Sequence, residues 1–215
     1  MTRLDYLRDP AEIYAKSFAT IAAEVNFANL PQSLHPIATR LIHACGMTDL
    51  VHDLRGDEAL PEKIRHAVQQ GKPIITDCEM AKSGIIRRLL PSTAEILCPL
   101  NDPQTALLSA KHQTTRSAAA VELWKPHMAG AVIVIGNAPT ALFALLEALD
   151  QGAEKPAAII GLPVGFVGAI ESKQELAANP RGVAYLTLHG RRGGSAMAAA
   201  ALNAVFAGNQ SGAAR

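Results

Sequence analysis

A few side chains in this sequence could do chemistry on a polar or anionic ligand. His43 lies in Leu41-Ile42-His43-Ala44-Cys45-Gly46, one imidazole among small and apolar neighbours near an expected helix end. An imidazole can give or take a proton near neutrality, although a histidine that packs in the core or serves a helix C-terminus is the simpler account of this one taken singly. In Thr114-Thr115-Arg116-Ser117-Ala118-Ala119-Ala120, Arg116 stands at the start of a helix, where a cation slightly opposes the helix dipole. An anion gripped by the guanidinium fork would account for it, and so would a surface ion pair. Asp77 and Glu79, just after an expected strand, could be an acid/base pair or could cap the helix that follows. Lys173, in Glu171-Ser172-Lys173 at another helix start, could bring a further cation or stay solvated.

These residues need a scaffold, and the sequence supplies a βα alternation. Apolar strands are expected at 73–76, 95–98, 131–135, 157–160 and 183–188, separated by helical stretches. Val132-Ile133-Val134-Ile135 runs into Gly136-Asn137-Ala138-Pro139-Thr140, and the strand at 157–160 ends in Gly161-Leu162-Pro163-Val164-Gly165-Phe166-Val167-Gly168. The last strand runs into His189-Gly190 and then Gly193-Gly194-Ser195. Such turns gather at the carboxyl edge of an open parallel sheet, where ligands bind. Ahead of the sheet, Asp9-Pro10-Ala11-Glu12 starts a helix that should reach about Asn26 and carries Ser17. A second helix is expected from about Ser33 to Gly46, and a third from about Pro61 to Gln70, closed by Gly71. The fold class is therefore α/β, a doubly wound, mostly parallel five-stranded sheet with extra N-terminal helices. One α/β domain is expected over 1–207, with a flexible tail over 208–215.

Composition narrows the function classes. The 215 residues suffice for one core burying about 70% of the unfolded surface. A formal net charge of +1 advertises no nucleic-acid partner, so anion binding must be local. Charges at Arg3, Asp5, Arg8 and Asp9 interrupt any signal-like apolar region, no apolar run approaches a membrane span, and a cytoplasmic protein is expected. Cys45, Cys78 and Cys98 lack paired spacing and are expected as reduced, mostly buried thiols. No metal is expected, because His35, His52 and His66 show no ligand spacing, and the histidines other than His43 are expected on the surface or in turns. No strand is followed by G-x-G-x-x-G, and Gly190-Arg191-Arg192-Gly193-Gly194-Ser195 lacks the Lys-Ser/Thr of a P-loop. Nucleotide binding is thus a weak reading, and tight turning with close helix packing explains the glycines.

Taken together, several segments closely resemble the precorrin-8X methylmutase (precorrin isomerase) family. They are Ser17, His43-Ala44-Cys45-Gly46, Asp77-Cys78-Glu79-Met80, Thr115-Arg116-Ser117-Ala118-Ala119, Gly136-Asn137-Ala138-Pro139-Thr140-Ala141-Leu142, Gly165-Phe166-Val167-Gly168-Ala169 with Glu171-Ser172-Lys173, and Gly193-Gly194-Ser195-Ala196. The resemblance implies an isomerase of cobalamin biosynthesis that moves a methyl group from C-11 to C-12 of a tetrapyrrole to give hydrogenobyrinic acid, without a cofactor. It puts the catalytic histidine at His43, as general acid or hydrogen-bond donor to a ring nitrogen, and substrate contacts at Ser17 and Arg116. Asn137, Thr140 and Lys173 are added as substrate-binding residues from their places at the strand ends. The resemblance further implies a homodimer with sites near the subunit interface, which would employ the leading helices, and neither a nucleic-acid partner nor a membrane. Where members carry a small hydroxyl residue soon after the glycine matching Gly84, this chain has Ile85 and Ile86, which removes that donor. A corrin-binding carrier without catalysis is one alternative, and a nucleotide-dependent oxidoreductase on the same kind of sheet is another.

Overall fold

A computed structural model describes residues 4–207. The tail expected over 208–215 lies outside the described residues. The chain begins with α1 (Pro10–Glu24), whose first amides are capped by Asp9 and whose first position is the proline. Next come α2 (His35–Cys45), a 3₁₀ segment over Thr48–His52, a short strand β1 (Leu54–Gly56) and α3 (Leu60–Gln69). The alternating part follows: β2 (Ile74–Thr76), α4 (Glu79–Gly84), β3 (Ile96–Leu97), α5 (Pro103–His112), α6 (Arg116–Trp124), β4 (Val132–Ile135), α7 (Pro139–Asp150), β5 (Ala158–Gly161), α8 (Ala169–Ala178), β6 (Ala184–Leu188) and α9 (Ser195–Ala207).

All five expected strands are present, but the sheet has six, in the order β1-β6-β5-β4-β2-β3. The five-stranded expectation is corrected by β1, which pairs antiparallel with β6 through Leu54 opposite Leu188, while every other pairing is parallel. The strand is hard to see in sequence because only Leu54 of its three residues is buried and it pairs on one side alone.

Alternation along the central strands separates two cores. Val132, Val134 and Ile160 face a cluster that includes Ile37, Leu41 and Ile42 of α2, Ile64 of α3 and Leu202 of α9. Ile133, Ile135 and Ile159 face Val121 and Trp124 of α6, with Leu142 and Leu145 of α7 and Leu176 of α8. Both faces are covered, which is why β4 and β5 read as unbroken apolar runs. Close approach explains Gly136, because a Cβ there would stand 2.6 Å from Ser195 Cα at the start of α9. The thiols are free, Cys78 buried and Cys45 and Cys98 half-buried.

The chain order places a switch point between β2 and β4: β3 lies to one side of this pair, β5 and β6 to the other. In open α/β sheets the crevice at such a point is the usual ligand site.

Candidate functional site

The expected site residues fall into separate groups. In the first, α2 ends at Gly46, whose left-handed φ of 70° lets its N–H return to Ile42 O, and this sets His43 in the last helical turn. The helix α1 lies across α2 so that Ser17 Oγ sits 2.8 Å from His43 Nδ1. The imidazole is further held by Tyr14 and Phe18, with ring centroids 5.1 and 5.2 Å away. Arg40, one turn before His43, donates to the Tyr14 hydroxyl at 3.0 Å and lies over both aromatic rings. Ser17 and His43 face a cavity of about 690 Å³ whose walls include Leu7, Ile13, Ile42, Gly46 and Thr48. With Nδ1 engaged by the hydroxyl, Nε2 is the nitrogen left to serve a ligand. When Ser17 donates to Nδ1 the ring proton sits on Nε2, the arrangement that a hydrogen-bond donor or acid requires.

The second group lies on the helices of the opposite face. Thr115 caps α6, accepting from Ala118 N–H, and its Oγ1 is 2.8 Å from Thr140 Oγ1 in the first turn of α7. Arg116 directs its guanidinium away from its own helix and donates to Leu100 O at 2.8 Å and Asn101 Oδ1 at 2.7 Å. Both partners are neutral and no ion pair of Arg116 occurs among the described residues, so the charge is oriented without being neutralised. Asn137 is exposed in the turn beside Thr140.

Asp77 is neither half of an acid/base pair nor the cap of its own helix. Its carboxylate, 1% exposed, crosses the switch point and accepts from Gly136 N–H at 2.9 Å and from Asn137 and Ala138 N–H at 2.8 Å each. These are the amides at the entrance to α7 that an anionic ligand would use. Glu79 begins α4, where Cys78 provides no side-chain cap.

Lys173 faces inward. Its side chain is fully buried and its ammonium donates to Arg192 O at 2.6 Å, so it reaches the backbone of the β6–α9 turn and not an open cleft. Burial, only partly offset by Asp53, pushes its pKa down to about 8. Nearby, burial and the Arg55 guanidinium hold His189 below the usual imidazole range, and its Nε2 is buried without a hydrogen-bond partner. His189 lies half-buried in the bend after β6, as a turn histidine, and His35, half-buried at the start of α2, stacks on Phe27 and bonds to Leu30 O.

Sequence reasoning missed the shell around His43. Tyr14 and Phe18 stand four residues apart on α1 and flank Ser17, while Arg40 precedes His43 by three on α2. That spacing was the available signal. Ile85 is buried and Ile86 half-exposed, and their segment is held by Asn203, which accepts from Ile86 N–H and donates to Gly84 O.

Comparison with known proteins shows the family. The family model described as CbiC, precorrin-8X methylmutase, matches residues 12–207. The precorrin-8X methylmutase of Pseudomonas aeruginosa is 53% identical over 202 residues, spanning 94% of this chain and 97% of that protein. That of a Sinorhizobium species is 48% identical, spanning 95% and 98%. The solved structure of the precorrin-8x methyl mutase from Thermus thermophilus superposes with a TM-score of 0.81 at 33% identity, covering 91% of this chain and 94% of that one. No helix among the described residues is long and apolar enough to cross a membrane.

Proposed function

The chain belongs to the precorrin-8X methylmutase family, isomerases of cobalamin biosynthesis, and we propose that it moves a methyl group from C-11 to C-12 of precorrin-8X with His43 as general acid. In this reaction the methyl bond to C-11 breaks as the bond to C-12 forms on the same face. The electron pairs redistribute through the macrocycle, and nothing is oxidised or lost. The protein then needs to supply shape, a grip on peripheral carboxylates, and a proton donor to a ring nitrogen near the migrating methyl. Hydrogen-bond donation from His43 Nε2 draws electron density toward that nitrogen and lowers the barrier; general acid catalysis of this kind contributes about 10²–10⁴-fold.

The observation that carries this reading is the 2.8 Å contact of Ser17 Oγ with His43 Nδ1 at the cavity wall, since it aims the ring and engages the nitrogen that the substrate does not use. Arg116, with Asn137 and Thr140 beside it, serves the acetates and propionates of the substrate.

The placement of the two groups supports a homodimer with composite sites. Ser17 and His43 ride on helices of the first core, and Arg116 and Thr140 on helices of the second, across the sheet. Two-fold symmetry lets one protomer's His43 cavity meet its partner's anion-binding group. Leu7, Ile13 and Tyr14 are exposed beside that cavity, and Ile21 is the one buried residue of α1, which leaves an apolar helix face for a partner to cover. The reading places the enzyme in the cytoplasm, where free thiols persist.

Incubation with precorrin-8X tests the function directly. Rearrangement extends the conjugation of the ring and changes its visible spectrum, so the expected result is time-dependent conversion that His43→Ala slows at least a hundredfold, about the lower bound for general acid catalysis. A binding shift without conversion would make the protein a carrier, and a His43→Ala protein turning over at the normal rate would remove the proposed acid. Running metal-free and cobalt-containing substrate in parallel identifies the natural form.

A further inference from the structure

Two loops at the carboxyl edge, residues 162–168 after β5 and 189–194 after β6, are laced into one unit. Gly194 N–H donates to Leu162 O at 2.9 Å, and Gly165 N–H to Arg191 O at 3.2 Å. From below, the buried Lys173 ammonium donates to Arg192 O at 2.6 Å. The packing leaves no room at Gly193, where a Cβ would stand 2.3 Å from Leu162 O.

The unit is also tied on both sides. Arg192 pairs with Asp53 at 2.6 Å and with Asp49 at 2.8 Å, and Asp49 follows Thr48 in the wall of the His43 cavity. Gly168 rests on Pro139 and Phe143 of α7, whose first turn carries Thr140. The laced loops therefore stand between the two groups of site residues.

What this firm unit presents to solvent is apolar. Phe166 is 84% exposed, Val167 89% and Val164 44%. The Arg191 guanidinium lies 5.2 Å from the Phe166 ring centroid and makes no hydrogen bond or ion pair among the described residues. A cluster of exposed apolar side chains on a well-anchored loop is the mark of a binding surface, not of a fraying segment. Its chemistry, a flat apolar contact beside an unneutralised fork of donors, matches a planar macrocycle edged with carboxylates.

We propose that Phe166, Val167 and Arg191 form a further substrate-binding tip, the apolar side chains lying against a face of the tetrapyrrole and Arg191 pairing with a peripheral carboxylate. This rests on the methylmutase reading above. Lys173 is then a positioning residue: it never touches substrate but fixes the backbone from which Arg191 and Phe166 project.

The test uses the full-length protein and measures affinity for hydrogenobyrinic acid by absorbance titration, steady-state kinetics with precorrin-8X, and oligomeric state by sedimentation. Arg191→Gln should raise Kd and KM about tenfold, the scale of one charge-assisted hydrogen bond, with kcat within about twofold and a weaker dependence of Kd on salt. Phe166→Ser should raise Kd comparably without altering its salt dependence, and Lys173→Met should reproduce the KM effect while Arg191 is intact. Unchanged Kd and KM in Arg191→Gln and Phe166→Ser would overturn the proposal. So would losses that appear only as the protein dissociates to monomers, which would make the tip a subunit contact. A wild-type protein that neither binds nor converts the tetrapyrrole would overturn the methylmutase reading and the tip with it, an outcome distinct from a working enzyme whose tip variants are unaffected.

Discussion

Replacing Ser17 by alanine isolates the step on which the proposed catalysis turns. The hydroxyl is one of three restraints on the His43 ring, the others being contacts with Tyr14 and Phe18 at centroid distances of 5.1 and 5.2 Å. Those contacts survive the substitution, so the imidazole keeps its place and loses the partner that engages its Nδ1. A net hydrogen bond of about 1 kcal/mol corresponds to about fivefold in rate. Ser17→Ala should therefore reduce kcat about fivefold, whereas His43→Ala should reduce it about 10²–10⁴-fold. The decisive measurement is the double variant. Because Ser17 acts through His43, the pair should be no slower than His43→Ala alone, as expected of residues working as one unit. The assay is single-turnover conversion of precorrin-8X followed by its visible spectrum, which separates the chemical step from product release. A double variant whose loss is the product of the two single losses would mean that Ser17 touches the substrate independently, and the orienting role would be wrong.

Other predictions concern stability. Asp77→Asn keeps one oxygen to accept and turns an amide N–H₂ against the remaining backbone donor, Gly136 N–H in the less costly orientation, and should cost about 2–3 kcal/mol, a fall in Tm of roughly 5–10 °C for a chain of this size, read by calorimetry. Gly193→Ala drives a Cβ onto Leu162 O and should cost about 1–3 kcal/mol by overpacking, seen as a lower denaturant midpoint with unchanged slope. For Lys173 the folded pKa, about 8, lies below the ordinary 10.5. The unfolded chain thus binds the extra proton between these values, and this residue makes stability rise with pH across that window. Below pH 8 the cost of burying the charge is fully present, at most about 3 kcal/mol. Denaturation of Lys173→Met and wild type in parallel should show the variant losing ground relative to wild type as pH rises from 8 to 10.5. A difference that stays flat across the window would mean that Lys173 is not held near 8.

Much of the architecture was legible because burial on both faces leaves a strong trace: Val132-Ile133-Val134-Ile135 has no polar position for solvent to claim. The capping signal of Asp9 before Pro10 was equally plain, and Asp9 accepts from Glu12 N–H at the helix start it suggested. What escaped was set by tertiary pairing. The strand β1 exists because β6 offers an open edge to Leu54-Arg55-Gly56, whose composition alone argues for a turn. Ser17 and His43 are 26 residues apart, and their contact depends on how α1 crosses α2. Lys173 was misjudged for a related reason: its place near the start of a helix at the sheet edge suggested an outward cation, but the β6–α9 turn folds over it and supplies a carbonyl that makes burial tolerable.

Asp77 occupies the place where a sheet of this topology usually receives a nucleotide. The crevice between β2 and β4 is where the strand order reverses, and the amides of Gly136, Asn137 and Ala138 point into it at the start of α7. In a phosphate-binding protein those donors await a ligand. Here an internal carboxylate from the end of β2 engages all three, so the helix N-terminus is neutralised by the chain itself, and a phosphate placed there would meet a buried negative charge. The same bonds stiffen the turn and hold Asn137 and Thr140 toward solvent beside Arg116. In the proposed reading, ligand binding moves from the amides to side chains, and from one crevice to a broader surface. A large, flat substrate with several carboxylates at its rim requires that arrangement, since its charges are too far apart for one helix terminus to reach. Asp77→Asn, already expected to loosen the turn, should therefore also raise KM for the tetrapyrrole without creating affinity for a nucleotide; tight nucleotide binding by this variant in a fluorescence titration would show that the carboxylate merely blocks an otherwise competent phosphate site.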